Sequence, residues 1–377
     1  MKPTALQQEI LIESHVEDTR KLLKANYLAD NRPWVVAYSG GKDSTLVLQL
    51  VYEMLLSLPP GQLKPVHIIS SDTRVEAPNI EEYLENSLIQ LEEHARTSRL
   101  DLAVHLVKPE IGDSFWPLII GKGYPPPNRW FRWCTTKLKI KPVRKVIEDI
   151  TIEFGSVILL IGTRKAESSN RSRQIDNRKY NSRGLNQHTE IANALVLQPI
   201  VDWSTDDVWE YLFTNNPAPW GFNHDKMLDL YRQANSGECP VITDLDTPSC
   251  GGSRFGCWTC TVVKEDKSMK GFIETGDEWM EPLYSFRLWL KNLHGKEELR
   301  NQYRRNDQPG LGPFNSEARK MILEELLKTE QKVGKLLISN EELLHIQDIW
   351  TQEFDIMHSV LRIAHKYHRH PKRAIAA

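Results

Sequence analysis

The stretch Val35-Val36-Ala37-Tyr38, followed by Ser39-Gly40-Gly41-Lys42-Asp43-Ser44-Thr45 and then Leu46-Val47-Leu48-Gln49-Leu50, constrains this chain more than any other. An apolar, β-branched run that ends in small polar residues and passes at once into an amphipathic pattern reads as strand, loop and helix. Two adjacent glycines let backbone amides approach an anion without a Cβ in the way, and the helix N-terminus turns unpaired N–H groups toward it. Lys42 adds a point charge, and Ser39, Ser44 and Thr45 supply hydroxyls. The loop is built for phosphate. The Walker A pattern is excluded, because it needs a glycine at position 36 and a hydroxyl residue at position 43, where this chain has Val36 and Asp43.

Further along, Pro65–Ile69 reads as a second buried strand ending in Ser70-Ser71-Asp72-Thr73. Ligand groups in an open parallel sheet sit at the carboxyl ends of strands, so Asp72 and Thr73 should face the same crevice as Ser39. A helix from about Ala77 to Thr97, a strand at Leu102–Val107, a fully apolar strand at Val157–Ile161 and a short one at Leu195–Pro199 continue the alternation. The expected fold is therefore α/β, a doubly wound parallel sheet. Residues 5–28 predict a leading helix, and the periodic runs after position 316 predict a helical C-terminal region with a basic, frayed end at 365–373. These shifts suggest four parts: 1–30, a nucleotide-binding domain at 31–222, a cysteine segment at 223–264 and a helical region at 265–377.

Two stretches carry open readings. Residues 112–133 are irregular and hold Phe115, Trp116, Tyr124, Trp130, Phe131 and Trp133, either a packed lid or a surface that stacks a base. Residues 164–184 hold seven basic side chains (Arg164, Lys165, Arg171, Arg173, Arg178, Lys179, Arg183) against two acidic ones. They read as a solvated loop or as a clamp on a nucleic-acid backbone, with Arg164 and Arg171 near the nucleotide. Bulk charge does not decide, since Lys plus Arg (48) nearly balances Asp plus Glu (50). No run of about 18 apolar residues occurs, which makes the expectation a soluble, cytoplasmic protein without membrane contact.

Four of the five cysteines, Cys239, Cys250, Cys257 and Cys260, fall at intervals of eleven, seven and three residues. Clustering of that kind in a reducing compartment means metal or redox chemistry rather than a disulfide framework. Zinc ribbons pair two tight Cys-x-x-Cys knuckles, whereas here only Cys257 and Cys260 form one. The lopsided spacing and the surrounding glycines favour a 4Fe-4S cluster over structural zinc. Cys134 stands apart, either a buried inert thiol or, beside Arg132 and Lys137 at a helix start capped by Thr135 or Thr136, a thiolate that handles sulfur.

Ser39–Ser44 resembles the pyrophosphate loop of ATP pyrophosphatases. Together with Ser71-Asp72-Thr73, Arg132-Trp133-Cys134-Thr135 with Lys137, Gly162-Thr163-Arg164 with Glu167-Ser168, Ser236-Gly237-Glu238-Cys239-Pro240, the cysteine intervals and Gly312-Pro313-Phe314, it is similar to the DndC family of DNA phosphorothioation sulfurtransferases, relatives of PAPS reductases. The resemblance implies that ATP activates a DNA phosphate as an adenylate with loss of pyrophosphate, and that sulfur then displaces AMP. It implies ATP, magnesium and a 4Fe-4S cluster as cofactors, and DNA, a cysteine desulfurase and other Dnd proteins as partners. Ser39, Gly40, Gly41, Lys42, Ser44 and Thr45 would hold the leaving pyrophosphate, with Asp43 and Asp72 meeting magnesium or ribose. Arg132, Lys137, Arg164 and Arg171, with Gly162 and Thr73, would line the rest of the nucleotide site, and Lys42, Asp43, Arg164 and Cys134 would act in catalysis. The same fold also serves sulfonucleotide reductases and tRNA thiolation enzymes. A third reading is a non-enzymatic nucleotide-binding scaffold for DNA.

Overall fold

The computed structural model describes residues 5–233 and 256–372. Helix α1 (Ala5–Leu28) leads into β1 (Trp34–Ala37), after which the chain alternates through α2 (Lys42–Ser57), β2 (Val66–Ser71), α3 (Pro78–Thr97), β3 (Leu102–Val107), α4 (Lys141–Phe154) and β4 (Val157–Leu160). Then come α5 (Ser169–Asp176), β5 (Leu185–Gln187) and β6 (Ala194–Leu197). The remainder is helical: α6 (Thr205–Thr214), α7 (Asp225–Gln233), α8 (Lys267–Glu274), α9 (Glu281–Leu293), α10 (Ser316–Val333), α11 (Asn340–Glu353) and α12 (Ser359–Lys366).

The strands form one sheet in the order β3-β2-β1-β4-β6-β5, parallel except for the antiparallel edge pair β5 and β6. Val36 of β1 lies between Ile68 on β2 and Leu160 on β4. Both β1 and β4 are buried at every position, which is why their sequences are unbroken apolar runs rather than alternating ones. From β1 the chain winds outward through β2 to β3, then crosses back to β4. Right-handed crossovers therefore put α2 and α3 on one face and α4 on the other. Val36, Ile68 and Ile158 face the larger core with α2 and α3, while Val35, Ile69 and Leu159 meet Val143, Ile147 and Ile150 of α4. The reversal of direction lies between β1 and β4, and the crevice outside their carboxyl ends is where such a sheet binds ligands.

Two expectations change. The irregular stretch between β3 and α4 is a buried insert: Phe115, Trp116, Ile119 and Ile120 are at most 2% exposed. Its unpaired carbonyls are taken up by the C-terminal helices, with Trp350 Nε1 (2.8 Å) and Arg319 Nε (2.9 Å) donating to Ile120 O. One continuous core thus runs from Tyr27 to Ala364. The basic C-terminal run is docked rather than frayed. Arg369 pairs with Glu330, and its Nη2 donates to Ile338 O at 3.0 Å and Asn340 Oδ1 at 2.7 Å. No helix among the described residues is long and apolar enough to cross a membrane.

Candidate nucleotide and sulfur site

The loop after β1 turns on Gly40, whose φ of +73° belongs to glycine and whose carbonyl accepts from Tyr83 Oη at 3.2 Å. Ser39 is tied to Ser44, backbone N to Oγ at 3.2 Å and Oγ to Oγ at 3.1 Å, and Ser44 Oγ donates to Gly41 O at 2.9 Å. Gly41 caps α2 without a side-chain acceptor. The helix therefore opens toward the crevice with no N-cap side chain over its first turn. Thr45 sends its hydroxyl inward to Met227 Sδ at 3.8 Å, away from the mouth of the loop.

The loop after β4 comes from the other side of the switch point. Gly162 has to be glycine, since a Cβ there would stand 2.7 Å from Asp43 O. That close approach places Arg164 against Asp43. The Asp43 carboxylate is shared between Arg164 Nε and Lys42 Nζ, the latter at 3.0 Å. Arg164 also donates to Trp203 O and Thr205 Oγ1, both at 3.2 Å, and is fully buried. Burial pushes the Lys42 ammonium down to about 8, opposed by Asp43 and reinforced by Arg164. Lys42, the first residue of α2, sets a buried ammonium beside the loop amides, a setting suited to an anion. Tyr231 of α7 marks the place: Lys42 N donates to its Oη at 3.2 Å, the position a phosphate oxygen takes in a loop of this kind. The loop thus fits a nucleotide polyphosphate.

Asp72 Oδ1 accepts from Arg74 N at 2.6 Å and its Oδ2 pairs with Lys108 Nζ at 2.8 Å, so it staples the turn after β2 and ties that turn to the residue after β3. Among the described residues no group of three or more His, Cys, Asp or Glu converges as a metal site. Nearby, burial and then the Asp72 and Glu85 charges push the Glu81 carboxyl up to about 7.

One residue beyond Asp72 the sheet meets sulfur. Thr73 Oγ1 donates to Glu76 Oε1 at 2.9 Å and lies 3.3 Å from Cys257 Sγ. Glu76 bridges to Cys257 as an isolated antiparallel pair, and Lys139 Nζ stands 3.5 Å from Glu76 Oε1. Burial and Glu76 push the Cys257 thiol well up, and Cys134 is among the groups whose charge acts on it. The helical segment that carries Cys134 begins at Trp133, ahead of the expected Thr135 or Thr136 cap.

Cys257 and Cys260 form a tight knuckle, with Cys260 N donating to Cys257 O at 3.0 Å. Cys239 and Cys250, and with them Ser236–Pro240, lie outside the described residues. The surroundings of the knuckle fit an anionic, thiolate-held group. Arg287 is fully buried, donates to Cys260 O at 2.6 Å and Val263 O at 2.9 Å, and among the described residues keeps Nη1 without a partner and pairs with no carboxylate. A buried cation so placed calls for negative charge nearby. Trp258 closes the inner side, packed between Trp116 and Phe286.

The other expected residues are placed less centrally. Lys137 Nζ pairs with Asp113 at 3.0 Å, and Arg132 is half-buried at the end of the insert. Arg171 pairs with Glu167, which also accepts from Arg164 N at 2.8 Å, so Arg171 stays tied to the loop after β4. The basic stretch is folded more than expected. Lys165 pairs with Asp176 and Asp202, and Arg183 anchors α1 through Asp30 (2.7 Å) and Asn26. Arg173 and Lys179 are exposed.

The family description "Phosphoadenosine phosphosulfate reductase domain" matches residues 33–263, a span that begins just before β1 and ends just past the cysteine knuckle. The chain belongs to this family. Among curated proteins, this member of the phosphoadenosine phosphosulfate reductase domain family is 29% identical over 281 residues to the uncharacterized protein MJ0066 of Methanocaldococcus jannaschii. It is 23% identical over 298 residues to MJ0973 of the same organism. These alignments cover 74% and 76% of the chain but only 47% and 62% of the relatives, so it spans about half to three-fifths of their length. Among solved structures it is similar to a phosphoadenylyl-sulfate reductase from Candida auris in a phosphate complex (17% identity, 61% of this chain and 93% of that one, TM-score 0.35). It is also similar to the U34-tRNA thiolase NcsA from Methanococcus maripaludis with its 4Fe-4S cluster (12% identity, 76% and 79%, TM-score 0.36).

Sequence reasoning missed Tyr231, Glu76, Glu81 and Arg287. None lies in a motif. Only the mid-helix arginine in the apolar face of α9 (Leu283, Phe286, Leu290) carried a signal.

Proposed function

We propose that this protein is an ATP-dependent sulfurtransferase that modifies a DNA backbone, of the DndC kind. The observation that carries the reading is the contact between Thr73 and Cys257, 3.3 Å apart, at the end of the strand beside the one that feeds the phosphate loop. It sets cysteine sulfur next to a nucleotide crevice. In the reaction a DNA phosphate oxygen attacks the α-phosphorus of ATP, pyrophosphate leaves, and a backbone adenylate remains. Lys42, the α2 N-terminus and the Ser39–Ser44 amides take the growing charge on the leaving pyrophosphate. Arg164, held by Asp43, keeps Lys42 and the loop in register. A divalent cation would ride on the ATP phosphates, since among the described residues no carboxylate set gathers for it.

Sulfur at the hydrosulfide level then attacks phosphorus and AMP leaves. Drawn from a cysteine desulfurase persulfide, that sulfur needs two electrons from a thiol reductant. Cys239, Cys250, Cys257 and Cys260 would hold a 4Fe-4S cluster, which supplies a fixed anionic iron–sulfur centre beside the crevice. Cys134 is the side chain to which we assign the meeting with incoming sulfur. Other Dnd proteins would present the DNA.

The test is digestion of DNA after incubation with protein, ATP, magnesium, cysteine, a cysteine desulfurase and a thiol reductant. Phosphorothioate-linked dinucleotides detected by mass spectrometry are expected. Thionucleosides in tRNA, or sulfite released from a sulfonucleotide, would instead assign the chain to the other chemistries of its fold.

A further inference from the structure

The insert between β3 and α4 buries Phe115, Trp116 and Trp133 yet leaves Trp130 90% and Phe131 45% exposed. An exposed Trp on a flexible loop would mean little, but this tip is held from several sides. Asn128 Oδ1 accepts from Trp130 N at 2.8 Å and Phe131 N at 2.9 Å, and Asn128 Nδ2 donates to His294 Nε2 at 2.9 Å. Asn128 and Phe131 also exchange backbone hydrogen bonds at 3.2 Å. Behind the tip, Trp133 Nε1 donates to Pro125 O at 2.9 Å. The turn spends its hydrogen bonds on presenting two aromatic rings to solvent.

The charge at the tip itself is Arg129; farther along, Lys137 and Lys141 are spent on Asp113, Lys139 on Glu76, Arg144 on Glu190 and Lys145 on Glu110. Arg129 lies 5.8 Å from the centre of the Trp130 ring and makes no ion pair among the described residues. Thr261, next to Cys260, donates to Pro127 O, which ties the tip to the cysteine knuckle. A protein hot spot would surround the ring with apolar contacts. Arginines flanking exposed rings instead match a polyanion whose bases have π-faces.

We propose that the Asn128–Arg132 tip is a stacking platform for an unpaired base of a single-stranded or locally opened nucleic acid, set beside the cysteine knuckle. This rests on the nucleic-acid part of the proposed function. It deepens it by stating how the strand is held. Arg129 meets the adjacent phosphates, and Trp130, with Phe131 behind it, takes the base.

The test measures binding of labelled single-stranded DNA, single-stranded RNA of the same sequence and the DNA duplex to the full-length protein and its variants, with ATP binding as the check on folding. Trp130→Ala should weaken single-strand binding about tenfold while Trp130→Phe restores most of it. Arg129→Ala should flatten the salt dependence. Wild-type affinity in Trp130→Ala, or no binding of either single strand by the wild type, overturns the platform. So does a loss confined to capture of the cysteine desulfurase. Equal Trp130 dependence on RNA, with no phosphorothioate formed in DNA, leaves the platform standing and removes the DNA reading instead.

Discussion

The phosphate loop and the cysteine knuckle do adjoining jobs but are built in opposite ways. The loop is contiguous: Ser39 to Ser44 supply its turn, its hydroxyls and its cation within one strand–helix junction, with Tyr83, Arg164 and Tyr231 reaching it from elsewhere. The knuckle draws on distant segments, Thr73 and Glu76 after β2, Lys139 before α4 and Arg287 on α9. Electrostatics follow the same division. Around the loop, Lys42 and Arg164 both meet Asp43 within hydrogen-bond distance, whereas among the described residues the buried Arg287 at the knuckle pairs with no carboxylate. A site made of neighbours in sequence carries its own counter-charge, and a site made of strangers leaves a charge for its ligand to meet.

If the two regions are distinct machines sharing one crevice, each should fail alone. Lys42→Ala removes the charge that meets the leaving pyrophosphate, and AMP formation should fall by about 10²–10³-fold with iron content unchanged. Iron lost together with AMP formation would break the separation. On the other side, Arg287→Met should lower retention of iron about tenfold under chelator challenge while ATP affinity stays within about twofold. Iron held as in the wild type would show that the buried cation serves only the Cys260 and Val263 carbonyls.

The pH dependence of ATP binding sharpens the loop half. Burial holds the free Lys42 ammonium at about 8, and an arriving phosphate favours its charged form and raises that value. Affinity should therefore be full below pH 8 and fall as pH rises through it, about tenfold between pH 7 and pH 9, with proton uptake in calorimetry near pH 8.5. A flat profile would remove Lys42 from the phosphate. The smallest effect is expected at Tyr231→Phe. Losing the hydroxyl that occupies the Lys42 N–H should tighten ATP binding about threefold, and weaker binding would make Tyr231 a ligand contact rather than a stand-in.

The fold was legible because its signals are local. The apolar runs of β1 and β4, the helix stop at Pro59–Gly61 and the Ser204 cap with its Asp207 partner each announce an element within a few residues. The short edge strand β5 was not, since Leu185-Asn186-Gln187 is polar and pairs on one side only. At the site, the loop residues were readable and their convergence with Gly162 and Arg164 followed from the switch point. What sequence could not show is which charges are already spent: Lys137 on Asp113, Arg183 on Asp30, Lys108 on Asp72. Ion pairing between distant segments leaves no periodicity. The same limit hid the insert, whose aromatics divide into buried Trp116 and exposed Trp130 only once α10 and α11 cover one side.

The most direct measurement of the central claim, that one crevice couples α–β cleavage of ATP to sulfur chemistry, is the product ratio. With α-labelled ATP, 35S-cysteine, a cysteine desulfurase, a thiol reductant and DNA, the account predicts AMP and pyrophosphate in equal amounts, with one sulfur retained in DNA per AMP. Formation of ADP and phosphate, or AMP released without any sulfur retained in DNA, would contradict it.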